Sequence, residues 1–133
     1  MVIDDDEAIR DFLYSELSAT YRVTVSTNGV EGLRMVLTLQ PDLVISDVVM
    51  PGMDGFTLLQ KIKGNSNSSH IPVILLTTKT TYVDRIKGLE HGADGYLSKP
   101  FVMDELLGMI SNLISNRLLL KGKFSGVRDQ EDK

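Results

Sequence analysis

The chain alternates between short runs of consecutive apolar residues and longer stretches in which apolar residues recur at helical spacing. Leu43-Val44-Ile45 and Val73-Ile74-Leu75-Leu76 are uninterrupted runs between turn formers, as expected of strands buried on both faces. Met1-Val2-Ile3 reads as the end of another strand whose beginning is missing, because it is short for a central strand and acids follow at once. Arg22-Val23-Thr24-Val25-Ser26 alternates polar and apolar, which suits an edge strand, and Tyr96-Leu97-Ser98 is a short last strand. Between these runs, Ile9, Phe12, Leu13 and Leu17 predict a first helix, and Leu33, Val36 and Leu37 a second that stops before Pro41. Phe56, Leu59 and Ile62 predict a third, and Val83, Ile86 and Leu89 a fourth closed by Gly92. Leu106, Ile110, Leu113 and Ile114 predict a fifth, continuing to Leu120.

Strands that alternate regularly with helices call for a parallel sheet covered on both faces. Right-handed crossovers then favour an α/β, flavodoxin-like, three-layer (βα)5 fold with strand order 2-1-3-4-5. The first and third strands are neighbours in that order. The domain is expected over residues 1–120, and residues 121–133, charged and without periodicity, as a linker or tail.

Composition narrows the function more than the fold. The 133 residues allow one core, and the net charge of −4 argues against direct contact with nucleic acid. No cysteine is present, which excludes thiol chemistry and Cys-ligated zinc and fits a reducing compartment. No apolar run approaches the roughly 18 residues that cross a bilayer, so a cytoplasmic domain without membrane contact is expected.

The predicted order brings Asp4, Asp5 and Asp47 to one rim of the sheet, where open α/β sheets bind ligands. Carboxylates about 4 Å apart repel by about 4 kcal/mol per pair at an effective dielectric near 20, so a bound cation is the simplest resolution. Mg²⁺ suits one or two carboxylates, waters and a phosphate oxygen. Thr77 and Lys99 end the fourth and fifth strands and would offer a hydroxyl donor and a fixed positive charge, as phosphoryl transfer requires. Each signal alone has a plainer reading: acids at a chain start as a helix cap, Lys-Pro as a turn, an edge-strand Tyr as packing. His70 and His91 lack metal-ligand spacing and read as surface residues. The Met residues read as gap-fillers or surface.

The combination resembles the receiver domain of two-component response regulators. It rests on Asp4-Asp5 with Arg10, Asp47 with Met50-Pro51 and Asp54-Gly55, Thr77-Thr78, and Gly92-Ala93-Asp94-Gly95-Tyr96 before Lys99-Pro100-Phe101. The resemblance implies that Asp47 accepts phosphate from a histidine kinase in a Mg²⁺-dependent reaction. It also implies that Asp5, Asp47 and the Val49 carbonyl bind the metal with Asp4 helping through water, and that Thr77 and Lys99 contact the phosphate. Thr77 and Tyr96 would form the switch, and a homodimer would use the fourth helix, fifth strand and fifth helix. Such a domain catalyses its own phosphorylation and dephosphorylation.

A finer resemblance, over Ser69 to Thr80 and Asn116 to Phe124, is to receivers embedded in hybrid sensor histidine kinases with an AraC-type DNA-binding domain downstream. The alternative is a phosphorelay receiver that passes phosphate to a histidine phosphotransfer protein. A haloacid-dehalogenase-like phosphatase would need a second Asp two positions after Asp47, where Val49 stands.

Overall fold

The computed structural model describes all residues except Thr80, Asp132 and Lys133, with side chains described through Leu118. The elements, in order, are β1 (Val2–Ile3), α1 (Glu7–Leu17), β2 (Val25–Ser26), α2 (Gly29–Leu39), β3 (Val44–Ser46), α3 (Gly55–Gly64), β4 (Val73–Thr77), α4 (Tyr82–Glu90), β5 (Gly95–Ser98) and α5 (Met103–Glu131). The five strands form one parallel sheet in the order β2-β1-β3-β4-β5. This is the flavodoxin-like α/β topology expected from the alternation of strands and helices.

Two compact units make up the chain, Met1–Phe101 and Val102–Lys133. In the first, β1, β3 and β4 are buried at every position, as their unbroken apolar runs require. Ile3, Val36, Val44, Val48, Phe56, Leu58, Leu59, Ile62, Ile71, Val73 and Leu75 are among the residues of its continuous core. Each such side chain contributes about 1.5–3 kcal/mol of burial. Helix starts are set by local chemistry: the Asp6, Asn28, Asp54 and Thr81 side chains accept backbone N–H groups of α1, α2, α3 and α4. Gln40 in the left-handed region ends α2 ahead of Pro41, and Gly92 at φ 92° follows α4.

Some expectations change. The edge strand β2 shrinks to Val25–Ser26, with Ser26 buried and Val25 exposed, so the polar residue faces inward, its hydroxyl satisfied by the Asn28 carbonyl. Phe12 is exposed on α1, leaving Leu13 and Leu17 as its buried residues. Val83 and Leu89 are exposed on α4, whose sole buried residue is Gly88. The second unit is α5 itself, which carries Asp104 and Glu105 in its first turn, where the helix dipole favours acids. Its backbone runs to Glu131, so the helix extends past Leu120 into the segment read as a charged linker or tail; Asp132 and Lys133 lie outside the described residues. Among the described residues, no helix is long and apolar enough to cross a membrane.

Candidate functional site

The register of the sheet assembles the rim. β1 and β3 pair Ile3 with Ser46, and the Asp47 N–H donates to the Ile3 carbonyl at 3.0 Å. Asp4 and Asp47 therefore leave adjacent strands side by side. β4 and β5 pair Thr77 with Ser98, and the Lys99 N–H donates to the Thr77 carbonyl at 2.9 Å, which sets Lys99 at the same end.

Lys99 joins the two acids. Its Nζ donates to Asp4 Oδ2 at 2.8 Å and to Asp47 Oδ2 at 2.9 Å, with all three side chains nearly buried. Asp47 Oδ1 accepts the Val48 N–H at 2.6 Å and the Val49 N–H at 3.3 Å. Asp4 Oδ1 accepts the Asp6 N–H at 2.9 Å, and the Asp4 carbonyl accepts Arg10 Nη1 at 2.9 Å. Asp5 is exposed, and one carboxylate oxygen each from Asp4, Asp5 and Asp47 lie within 4.8 Å of one another. The acid-rich start thus divides its work, with Asp6 capping α1 while Asp4 and Asp5 turn to the rim.

Burial pushes the Asp4 carboxyl above the ordinary aspartate range, against the pull of the Lys99 hydrogen bond. For Lys99, burial alone would lower the ammonium, but its hydrogen bonds to Asp4 and Asp47 outweigh this and hold it above the ordinary lysine value. Lys99 is therefore charged across the physiological range. An all-oxygen donor set of this kind fits a hard divalent cation such as Mg²⁺, and would not suit a soft metal.

The remaining expected residues stand nearby in different states. Thr77 is fully buried, and its Oγ1 accepts the Lys79 N–H at 3.2 Å. Val49 offers its N–H to Asp47, while its side chain is 51% exposed. Tyr96 is half-buried, and its hydroxyl donates to the Lys79 carbonyl in the segment that joins Thr77 to α4. The Arg85 guanidinium lies 5.8 Å from the Tyr96 ring centroid and donates to Ser98 Oγ at 3.0 Å. The Tyr96 ring also rests on Gly88, where an added Cβ would stand 2.9 Å from Cδ2 and Cε2.

Two residues hold Asp47 in a way that motifs do not show, although Gly55 itself stands in the Asp54-Gly55 pair. Ser46 is fully buried and its hydroxyl donates to the Asp47 carbonyl at 2.8 Å. Gly55 opens α3 directly against the Asp47–Val48 peptide. The signal for Ser46 was a lone hydroxyl closing an apolar run; the signal for Gly55 was a residue without a side chain immediately after a helix cap. The cleft lined by Leu33, Leu37, Lys61, Gly64, Asn65 and Ser66 contains none of the site residues.

Residues 1–111 match the response regulator receiver domain family. The chain is 40% identical over 128 residues to Histidine kinase P4 of Formosa agariphila, covering 96% of this chain and 9% of that protein. It is 36% identical over 133 residues to the DNA-binding dual master transcriptional regulator RpaA of Synechocystis sp., covering 98% of this chain and 55% of that protein. It is 42% identical over 123 residues to the probable transcriptional regulator ycf29 of Pyropia yezoensis, covering 90% of this chain and 54% of that protein. The chain thus spans a small part of the first and about half of the other two. Among solved structures, the receiver domain of the Francisella response regulator 1452 superposes with a TM-score of 0.81 at 33% identity, over 86% of this chain and 94% of that one. Chemotaxis protein CheY4 of Vibrio cholerae gives 0.79 at 33% identity, over 84% of this chain and 94% of that one.

Proposed function

Since the chain belongs to the response regulator receiver domain family, we propose that Asp47 accepts a phosphoryl group from a histidine kinase in a Mg²⁺-dependent reaction. The observation that carries this reading is the Lys99 ammonium bridging Asp4 and Asp47, with Asp5 completing the acidic cluster. An Asp47 carboxylate oxygen attacks phosphorus, the bond from phosphorus to the donor imidazole nitrogen breaks, and its electron pair leaves on that nitrogen. Asp5, Asp47 and the Val49 carbonyl would hold Mg²⁺, with Asp4 helping through water. When bound, the ion neutralises charge building on the phosphoryl oxygens. The Val48 and Val49 amides orient the carboxylate, and Lys99 and the Thr77 hydroxyl receive the phosphate.

Phosphate would draw Thr77 toward it and disturb the contact of Lys79 with Tyr96, so that Thr77 and Tyr96 act as the switch. The affected surface includes α4, where Tyr82, Val83 and Leu89 are exposed; with β5 and α5 it is the proposed homodimer surface. The receiver occupies residues 1–120, with 121–133 leading to an output domain. Control of transcription in the same chain is the preferred output, in keeping with the regulators among its relatives. The kinase relative favours a hybrid sensor kinase, with an AraC-type DNA-binding domain downstream, as the parent chain. Transfer onward to a histidine phosphotransfer protein is the alternative. The location is cytoplasmic.

Intact-mass measurement after incubation with phosphoramidate and Mg²⁺ tests the reading. One phosphoryl adduct is expected, not formed when Mg²⁺ is chelated beforehand and absent in Asp47→Asn. An adduct that persists in Asp47→Asn overturns the assignment.

A further inference from the structure

We infer that Gly55 and Ser46 are positioning residues for Asp47, clamping its backbone so that the carboxylate keeps its aim; this rests on the proposed phosphoacceptor role. Asp47 Oδ1 is oriented by the N–H of the very next residue, at 2.6 Å. The direction of the side chain therefore depends on the position of the Asp47–Val48 peptide. That peptide is held from two sides. Inside the sheet, the buried Ser46 hydroxyl donates to the Asp47 carbonyl at 2.8 Å. From the other side, the Gly55 backbone packs directly against the Asp47 carbonyl, and the Gly55 N–H fixes the following peptide by donating to the Val48 carbonyl at 2.8 Å.

Contact there is close enough to forbid a side chain. An added Cβ at Gly55 would stand 2.7 Å from Val48 Cα, 2.9 Å from the Asp47 carbonyl carbon, and closer still to the Asp47 carbonyl oxygen. Relief of that overlap requires α3 or the peptide to move. α3 is anchored by Phe56, Leu58, Leu59 and Ile62, all buried in the core. The segment after Val48 is looser, with Val49, Pro51 and Gly52 exposed. Displacement falls on the Asp47–Val48 peptide, and misplacement of a reacting group by even about 1 Å can cost about 100-fold in rate.

The test uses the whole chain with four substitutions: Gly55→Ala, Ser46→Ala, Ser46→Thr, and Gly64→Ala as control. Gly64 ends the same helix, and a Cβ there meets nothing within 4 Å. Two quantities are read: the Val48 amide proton shift without Mg²⁺, and the rate of phosphorylation by phosphoramidate at saturating Mg²⁺. For Gly55→Ala the amide resonance should move upfield as its bond to Asp47 lengthens, and the rate should fall at least about tenfold. Ser46→Ala should shift the same resonance and slow the reaction severalfold, with Ser46→Thr, which keeps the hydroxyl, closer to the natural protein. Gly64→Ala should change neither. An unmoved Val48 amide in both Gly55→Ala and Ser46→Ala overturns the inference, as do natural rates in both. Should Gly55→Ala fail to fold, the Ser46 pair decides. If the natural protein takes up no phosphate, the receiver reading fails, and the amide shifts alone judge the clamp.

Discussion

α3 and α4 are of similar length and follow neighbouring strands, yet they are held in opposite ways. α3 buries Gly55, Phe56, Leu58, Leu59 and Ile62, whereas α4 buries only Gly88. What joins α4 to α3 is largely polar: Lys87 Nζ over the Phe56 ring at 4.7 Å and Gln60 Nε2 against the His91 ring at 3.1 Å. Just beyond α4, Lys63 Nζ donates to Asp94 Oδ2 at 2.8 Å. Contacts of that kind, partly open to water, are worth little each and can be exchanged for others. One helix is part of the frame around Asp47; the other is held by few buried side chains, as the proposed switch requires.

Stability measurements should separate the two most sharply. Leu59→Ala removes a fully buried side chain from α3 and should cost about 2–5 kcal/mol in urea unfolding. Leu89→Ala on α4 removes a side chain that is 58% exposed and should stay within about 0.5 kcal/mol. Similar losses at both positions would end the distinction between frame and movable element.

Gly88→Ala probes α4 at its one buried point. Alanine gains about 1 kcal/mol of helix propensity over glycine, but the new methyl overlaps the Tyr96 ring. Because α4 is loosely held, helix and ring should move apart at small net cost, within about 1 kcal/mol, while the Tyr96 ring proton shifts change clearly. Unchanged Tyr96 resonances would show that the ring does not depend on that seat.

The same contrast explains which parts of the fold could be read from residue order. β3 and β4 announce themselves because burial on both faces favours unbroken apolar runs, with the polar Ser46 and Thr77 only at their ends, and Pro51-Gly52 and Asp54-Gly55 then force the chain around to α3. Strand order places Asp4 beside Asp47 without any knowledge of side-chain packing. α4 misleads for the opposite reason. Val83, Ile86 and Leu89 repeat at helical spacing and form a helix, but spacing cannot say whether the core reaches that face, and Val83 and Leu89 stay exposed. The reach of Lys99 to both acids joins elements distant in sequence and exists only once the sheet is assembled, while the contacts of Ser46 and Gly55 with the Asp47 peptide are local in sequence but appear only when α3 settles against the end of β3. Apolar periodicity fades beyond Leu120, so residue order does not show where α5 ends, although its backbone remains helical to Glu131.

Electrostatic strain belongs to the framed side. The Asp4 carboxyl is raised by burial, so the folded state binds its proton more tightly than the unfolded chain does. That contribution to stability is fully present below the ordinary aspartate value and is lost as pH rises through the raised one. Asp4→Asn removes the carboxylate that burial penalises, so without Mg²⁺ its thermal midpoint relative to the natural protein should rise as pH is raised. The gain should shrink as pH falls toward the ordinary aspartate value. Asp84→Asn on α4 should produce no gain. A relative midpoint for Asp4→Asn that falls as pH is raised would mean that its hydrogen bond with Lys99 outweighs the burial.

The smallest expected effect lies where the two regions meet, in how long phosphate stays on Asp47. Hydrolysis requires a water aligned behind phosphorus, and Val49 and Lys79 stand two positions beyond Asp47 and Thr77, from where a side chain could orient it. Val49 belongs to the framed side, with its N–H fixed on Asp47 and its side chain 51% exposed. It has no group with which to steer a water, and its bulk could shield the approach. Lys79 belongs to the movable side, following Thr77 and lending its carbonyl to Tyr96. Its ammonium could lie across the phosphate and stabilise the ground state. The double variant Val49→Asn, Lys79→Glu should lose phosphate severalfold faster than the natural protein, as followed by intact mass with Mg²⁺ present. The single variants divide the effect: a dominant Val49→Asn assigns lifetime to the fixed frame, and a dominant Lys79→Glu assigns it to the segment that moves. Equal or slower loss from the double variant would show that neither side chain governs the water.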